Sequence, residues 1–349
     1  MARSAPASCT LGLVALAFGS TTPAVTAERG PTARVAVEAC ETWSGIFGGS
    51  EVSFTYRVAS DAPVAGAFAW VLTVNRRTIA RGESPLAVAR DRPARATVRL
   101  AIPPVKEGVV LAGELTVSVY AERKAARAPV AVDRRTVSIW SRDPWAHRSA
   151  WLRERHIRLF DPRGDTARVF DEANIPHHRL SRWEGLGSIQ QGLVVVGSGV
   201  SLDEHRDLAD ELFALGARGI PVVWLAPSAG RFDLPGTAGS RHPMPDALAL
   251  KGPGVIRALD KRLDADGWPP DGTMNATGLA LRTVGDRVVA EVVEPGHAWP
   301  WLELRWPKAG AAVVICGFAI VEQWHAGPVP RHLLARILEH VTEEKELEP

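Results

Sequence analysis

The chain has 349 residues, 46% of them hydrophobic and 23% charged, with a formal net charge of +2. That composition is ordinary for a folded soluble protein, and the length allows about two domains. So weak a charge gives no electrostatic case for nucleic acid or an anionic membrane as partner.

Met1 to Ala27 carries Arg3 at its head, an apolar run from Leu11 to Phe18, and the small residues Val25 and Ala27 before a cleavage point. The expectation is a cleaved signal peptide over residues 1–27 and a secreted or periplasmic protein. The apolar run is too short for an anchor, and Cys9 lacks lipobox context; the alternative is an uncleaved anchor. After cleavage no membrane span is expected, and the loss of Arg3 with no acid takes the charge from +2 to +1. Cys40 and Cys316 would remain, in different predicted domains. They could pair in an oxidising compartment, but Cys316 ends an apolar strand and reads as a small buried hydrophobe.

Residues 30–140 read as an all-β, immunoglobulin-like sandwich. The predicted strands are Val35 to Ala39, Val52 to Val58, Ala67 to Val74, Ala96 to Ile102, Leu115 to Ala121 and Val130 to Ile139. Within Val52 to Val58, apolar residues alternate with Ser53, Thr55 and Arg57, so one face is buried and the other wet. Asn75, Arg76 and Arg77 turn a hairpin. Residues 141–150 are a linker, because Pro144 and a charge cluster interrupt the strand pattern.

From residue 151 the period changes to an α/β pattern. A strand from His156 to Phe160, a helix from Gly164 to Ala173 and a short strand from His178 to Leu180 come first. Leu193 to Val196 and Val222 to Leu225 lack polar alternation, as central parallel strands do. Between them Ser201 and Glu204 form a capping box, and Leu208, Leu212 and Leu215 give the helix one apolar stripe. Right-handed βαβ connection follows by rule. Strands at Leu279 to Thr283, Val288 to Val293, Trp301 to Trp306 and Ala311 to Ile315 precede a last helix from Pro330 to about Thr342. The proline- and glycine-rich stretch from Pro227 to Pro253 reads as a long loop and a candidate lid.

The run GIPVVWLAPSAG, which follows the capped helix and ends a central strand, resembles the nucleophile-elbow region of class I glutamine amidotransferase-like domains, including the ThuA-like branch. The resemblance spans roughly Ala150 to Val341. It implies a three-layer α/β sandwich, amidotransferase-like or flavodoxin-like, for residues 151–349. Catalytic members of that family end this strand in Gly-x-Cys-x-Gly and place a His and a Glu after a late strand. Here Ala226 aligns with the cysteine, Pro227 follows it, and GFAIVEQWHAG offers Glu322 and His325 in reversed order. The resemblance therefore implies the scaffold without amidotransferase activity. The preceding sandwich is similar to modules of secreted bacterial glycoside hydrolases and their accessory proteins.

In an open α/β sheet the functional crevice lies beyond the carboxyl ends of the strands, where Asp161, Ser198, Ser228, Glu322 and His325 are expected. Ser228 is the nearest thing to a nucleophile; His325 could act as its base and Glu322 could orient that base. The alternative is a plain loop serine, since the surrounding residues are not G-x-S-x-G. Gly197, Ser198 and Gly199 could cradle an anion, but Asp203 and Glu204 would repel it, and the glycines then simply permit a tight turn. No metal site is expected, because His177 and His178 are neighbours that an extended chain points to opposite faces.

Twelve tryptophans against two tyrosines give the second unusual feature. A strand over WPWLELRW puts Trp299, Trp301, Glu303 and Arg305 on one face, as a sugar-stacking platform would, with Trp324 near the crevice. The alternative is that these indoles pack against the long loop or fill the domain seam. The resulting expectation is a secreted recognition protein without catalysis or cofactor, whose partner is a carbohydrate or an envelope protein. A hydrolase acting on a sugar or ester, and a purely structural envelope protein, are the competing readings.

Overall fold

The computed structural model describes residues 33–122, 128–238, 240–294, 296 and 298–343. The expected signal segment, Met1 to Ala27, lies outside the described residues. The molecule is mostly β, with four sheets among the described residues. No described helix is long and apolar enough to cross a membrane.

The first eight strands are β1 (Val35–Ala39), β2 (Gly45–Phe47), β3 (Glu51–Ser60), β4 (Val64–Val74), β5 (Arg77–Val88), β6 (Ala94–Ala101), β7 (Val110–Tyr120) and β8 (Ala131–Trp140). They form a three-stranded sheet ordered β1-β3-β6 and a five-stranded sheet ordered β2-β8-β7-β4-β5. Alternation does the work. Phe54, Tyr56 and Val58 of β3 meet Phe68 and Leu72 of β4 and Leu115, Val117 and Val119 of β7 in one apolar cluster. The hairpin expected at Asn75 to Arg77 forms and leads into β5, a strand not otherwise predicted because Gly82 and Pro85 argue against one. The strand persists because it lies at a sheet edge, where proline costs no ladder bond.

The second half holds α1 (Ser149–Glu154), β9 (Arg158–Phe160), α2 (Asp165–Glu172), β10 (His178–Leu180), β11 (Val194–Val196), α3 (Leu208–Ala217), β12 (Val222–Leu225), β13 (Arg231–Asp233), β14 (Ala247–Lys251), α4 (Val255–Leu259), β15 (Gly278–Val284), β16 (Arg287–Val293), β17 (Trp301–Trp306), β18 (Ala311–Cys316) and α5 (Pro328–Thr342). A seven-stranded sheet runs β10-β9-β11-β12-β18-β17-β14. Its first five strands are parallel, and β17 runs antiparallel to both of its neighbours, β18 and β14. Successive residues of β11, β12 and β18 face opposite ways. Val195, Val223 and Val314 join α2 and α5 in one cluster, while Val194, Val222 and Val313 join α3 in the other. That is why these strands read as unbroken apolar runs.

Two expectations are corrected. Helix α3 begins at Leu208 and not after Ser201; the Ser201 hydroxyl accepts the Asp203 amide within a turn. Tertiary structure overrides the cap here, because buried Leu202 donates its amide to the Ala229 carbonyl and pins the segment to the loop after β12. The stretch from Pro227 to Pro253 is not a structureless lid either. It contains β13, paired with β16, and β14, the edge strand beside β17.

The two halves share a seam built from both. Trp140, the last residue of β8, is fully buried in the cluster formed by α2 and α5, with its ring 4.3 Å from that of His332. Asp264 accepts the Ser44 amide at 2.8 Å, the Ser44 hydroxyl at 2.7 Å and the Gly45 amide at 2.7 Å. His332 bonds the Ser141 carbonyl at 3.1 Å, and burial pushes its imidazole down to about 4. The seam therefore holds a neutral histidine at physiological pH.

Candidate functional site

Strands β9, β11, β12 and β18 are adjacent and parallel, so their carboxyl ends share one edge of the sheet. The segments that follow them carry Asp161, Ser198, Ala226 with Ser228, and Glu322. The structure brings four of the expected residues to that edge. It also bonds most of them to the protein itself.

Ser198 is only 2% exposed and donates its hydroxyl to Glu322 Oε1 at 2.6 Å. Its amide donates to Thr166 Oγ1 at 2.8 Å, a fully buried partner that sequence reasoning missed. A threonine in the first turn of a helix that follows Asp161 was the available signal. One Asp161 oxygen accepts the Ala167 amide at 2.8 Å and so satisfies a free donor at the start of α2. The other is buried without a partner among the described residues. Gly197 leaves that carboxylate its space, since a Cβ there would sit 2.6 Å from it.

The proposed triad is not assembled. Ser228 donates its hydroxyl to the Gly199 carbonyl at 2.9 Å. His325 is 73% exposed and pairs with Glu172 at 3.4 Å and Arg331 at 3.3 Å, on the surface beside the end of α2. Arg331 holds it there by bonding the Trp324 carbonyl. The Ser228 hydroxyl therefore bonds main chain and not His325, the base expected to activate it. This corrects the roles read for Ser228 and His325, and leaves Glu322 bonded to Ser198 instead.

The sugar platform is also corrected. Trp299 is 46% exposed, but Trp301 is fully buried and donates its indole N–H to Glu303 at 3.1 Å. Trp324 is buried under the Arg331 guanidinium, 5.2 Å from its ring. The face read as open is covered by α5, whose His340 bonds Glu303, and by Lys251 of β14. One exposed indole remains where a stacking surface was expected.

Ala226 carries the most informative geometry. Its φ is +33°, a left-handed value at a residue other than glycine, and proline follows it. Such a conformation costs roughly 1–2 kcal/mol. It persists because the Ala226 amide donates to the Cys316 carbonyl at 2.7 Å while its carbonyl accepts the Gly199 amide at 2.9 Å, tying three strand ends together. The turn thus has the sharp backbone of an elbow and a methyl group at its tip. The thiol of Cys316, on the neighbouring strand, is no substitute. It is fully buried among apolar side chains, and burial pushes it up to about 12, so it stays protonated and inert. Cys40, which is exposed, and Cys316, which is buried, are both free thiols, so the two are not bonded to each other.

Replacing Ala226 with glycine is expected to stabilise the protein by about 1 kcal/mol, because glycine takes the left-handed value without strain. Denaturant unfolding measures it; a destabilised variant would mean that the backbone is not strained there. No cluster of three or more metal-ligating side chains occurs among the described residues.

No family model matches the chain, and no curated protein does. Solved structures give remote likenesses. A β-glucosidase from Listeria innocua aligns at 11% identity and TM-score 0.24 over 31% of this chain and 16% of its own length. A CARDB domain from Pyrococcus furiosus, with di-metal ions, aligns at 12% identity and TM-score 0.21 over 32% of this chain and 94% of its own. A cycloisomaltooligosaccharide glucanotransferase from Paenibacillus aligns at 8% identity and TM-score 0.24 over 74% and 34%. Likenesses at such scores carry no argument about fold or activity.

Proposed function

We propose that the chain is a secreted recognition protein without catalytic activity, in which an immunoglobulin-like sandwich at residues 30–140 precedes an amidotransferase-like α/β domain at residues 151–349. The left-handed turn at Ala226 carries this reading. An elbow at the end of a central parallel strand, holding a methyl group, keeps the shape of a nucleophile turn without an attacking atom. Around it Ser198, Ser228, Thr166 and Glu322 spend their hydrogen bonds on one another or on main chain. Burial of Trp301 and Trp324 favours an envelope protein over a carbohydrate as partner.

One contact favours the second reading, a hydrolase. Ser198 and Glu322 are 2.6 Å apart, and a carboxylate can take a proton from a serine it already bonds. Incubating the purified chain with glutamine, nitrophenyl esters and nitrophenyl glycosides separates the two. The expected result is no turnover above buffer. Turnover that a Glu322→Gln variant abolishes would overturn the recognition reading and install the hydrolase.

A further inference from the structure

Strand β5 is hydrogen-bonded along its length to β4, and β6 to β3, so each forms the outer edge of its sheet. The chain passes from one to the other through a corner bridged by Ala89 and Arg92. Between the two edges lies a groove of about 390 Å³ lined by Trp70, Ser84, Leu86, Arg95, Thr97 and Arg99, among others. An open strand edge offers a row of free N–H and C=O groups that can pair with another extended chain. Pro85 lacks one such donor, which blunts β5 and leaves β6 the better edge.

Three features of the groove select what could bind. Arg95, Thr97 and Arg99 are the exposed, alternating residues of β6. No acidic side chain lines the groove, and neither arginine has an ion-pair partner among the described residues. The Trp70 indole N–H is buried without an acceptor among the described residues. Gly82 permits that tryptophan its place, because a Cβ at position 82 would overlap the six-membered ring.

We propose that this groove binds an extended acidic peptide segment, which adds to β6 as a further strand and sets its carboxylates on Arg95 and Arg99. Residues four apart on one face of a strand lie about 13 Å from each other, so acids at positions i and i+4 of the segment match the two arginines. Main-chain bonds to the edge supply affinity, and the guanidinium groups select the charge. An anionic sugar fits less well. It would need an open ring face for stacking, and the main chain of Gly82 covers part of Trp70. The groove lies in the sandwich, so the proposal stands or falls apart from the chemistry of the crevice.

The test is fluorescence anisotropy with the full chain and a labelled peptide, Thr-Glu-Val-Thr-Val-Glu-Thr, beside the same peptide carrying glutamine for glutamate. Oligogalacturonate serves as an anionic sugar competitor. Micromolar binding is expected, roughly tenfold weaker for the glutamine peptide and roughly tenfold weaker for an Arg95→Gln, Arg99→Gln double variant whose circular dichroism is unchanged. Absence of saturable binding up to about 1 mM would overturn the proposal, as would equal binding of the two peptides or of the double variant. Displacement by oligogalacturonate at lower concentration than by unlabelled peptide would make it a sugar site and overturn it equally.

Discussion

Replacing Glu303 with alanine is expected to cost about 4 kcal/mol of unfolding free energy. This carboxylate lies in β17 and is 4% exposed. Lys251 donates to it at 2.7 Å, Trp301 at 3.1 Å, His340 bonds it at 3.1 Å, and Arg305 pairs with it from two residues away. Removing the acid leaves Arg305 and Lys251 facing each other with no counter-charge, which costs far more than the net worth of the pairs. A Glu303→Leu, Arg305→Leu double variant should recover most of the loss, because apolar residues of similar volume often replace a buried ion pair at little cost. Urea unfolding of the single and double variants decides the matter. Equal loss in both would mean that packing and not charge holds this part of the core.

The same residue sets an acid limit. Burial alone would push the carboxyl up, but hydrogen bonds from His340 and Lys251 and the charge of Arg305 outweigh it and hold the group well below the usual carboxylate range. A folded pKa below the unfolded one gives stability that is present above about 4.5, the ordinary value, and is lost as pH falls toward the folded value. Wild type should therefore lose stability more steeply below pH 4.5 than Glu303→Ala does. Parallel slopes would remove Glu303 from the account.

Asp264→Ala is expected to cost about 3 kcal/mol and to loosen the two halves of the chain from each other. Its carboxylate accepts three hydrogen bonds from Ser44 and Gly45, at the start of β2. Without it, two main-chain amides lose their acceptor in a seam from which water is largely excluded. Beside them, Trp140 packs against His332, and Phe47 and Val110 pack against the same apolar cluster. Limited proteolysis reads the effect directly: cleavage within Ser141 to Arg148 should rise in the variant while the far ends of the sandwich stay protected. An unchanged digestion pattern with unchanged stability would show that the remaining contacts, and not these hydrogen bonds, carry the seam.

Short-range signals in the sequence were legible, and the long-range ones were not. Alternation in Val52 to Val58 and the unbroken runs at Val194 and Val222 announced which strands are half-buried and which are covered on both faces. Of the four residues grouped on one face, Trp301, Glu303 and Arg305 do share it, because a strand's period is strict, whereas Trp299 precedes β17 and bridges Leu279. What covers that face was not readable. Its lid is His340, 37 residues further on, and Lys251, 52 residues earlier, and neither announces its partner locally. The capping box at Ser201 and Glu204 shows the converse error, a valid local motif overruled by the tie between Leu202 and Ala229. In the crevice, the strand ends located Asp161, Ser198 and Glu322, but which hydrogen bonds they would make depended on Thr166 and on the direction of each hydroxyl.

The backbone at Ala226 also bears on what this position can become. A left-handed turn excludes β-branched and bulky residues whatever the chemistry nearby, yet it tolerates glycine, asparagine and aspartate. Mutational drift at residue 226 is thereby channelled. An amide or carboxylate there would suit the backbone conformation already present, at the edge that holds Ser198 and Glu322. One strained dihedral thus sets which side chains this edge of the sheet can acquire, and a new polar group at residue 226 would need no change of fold.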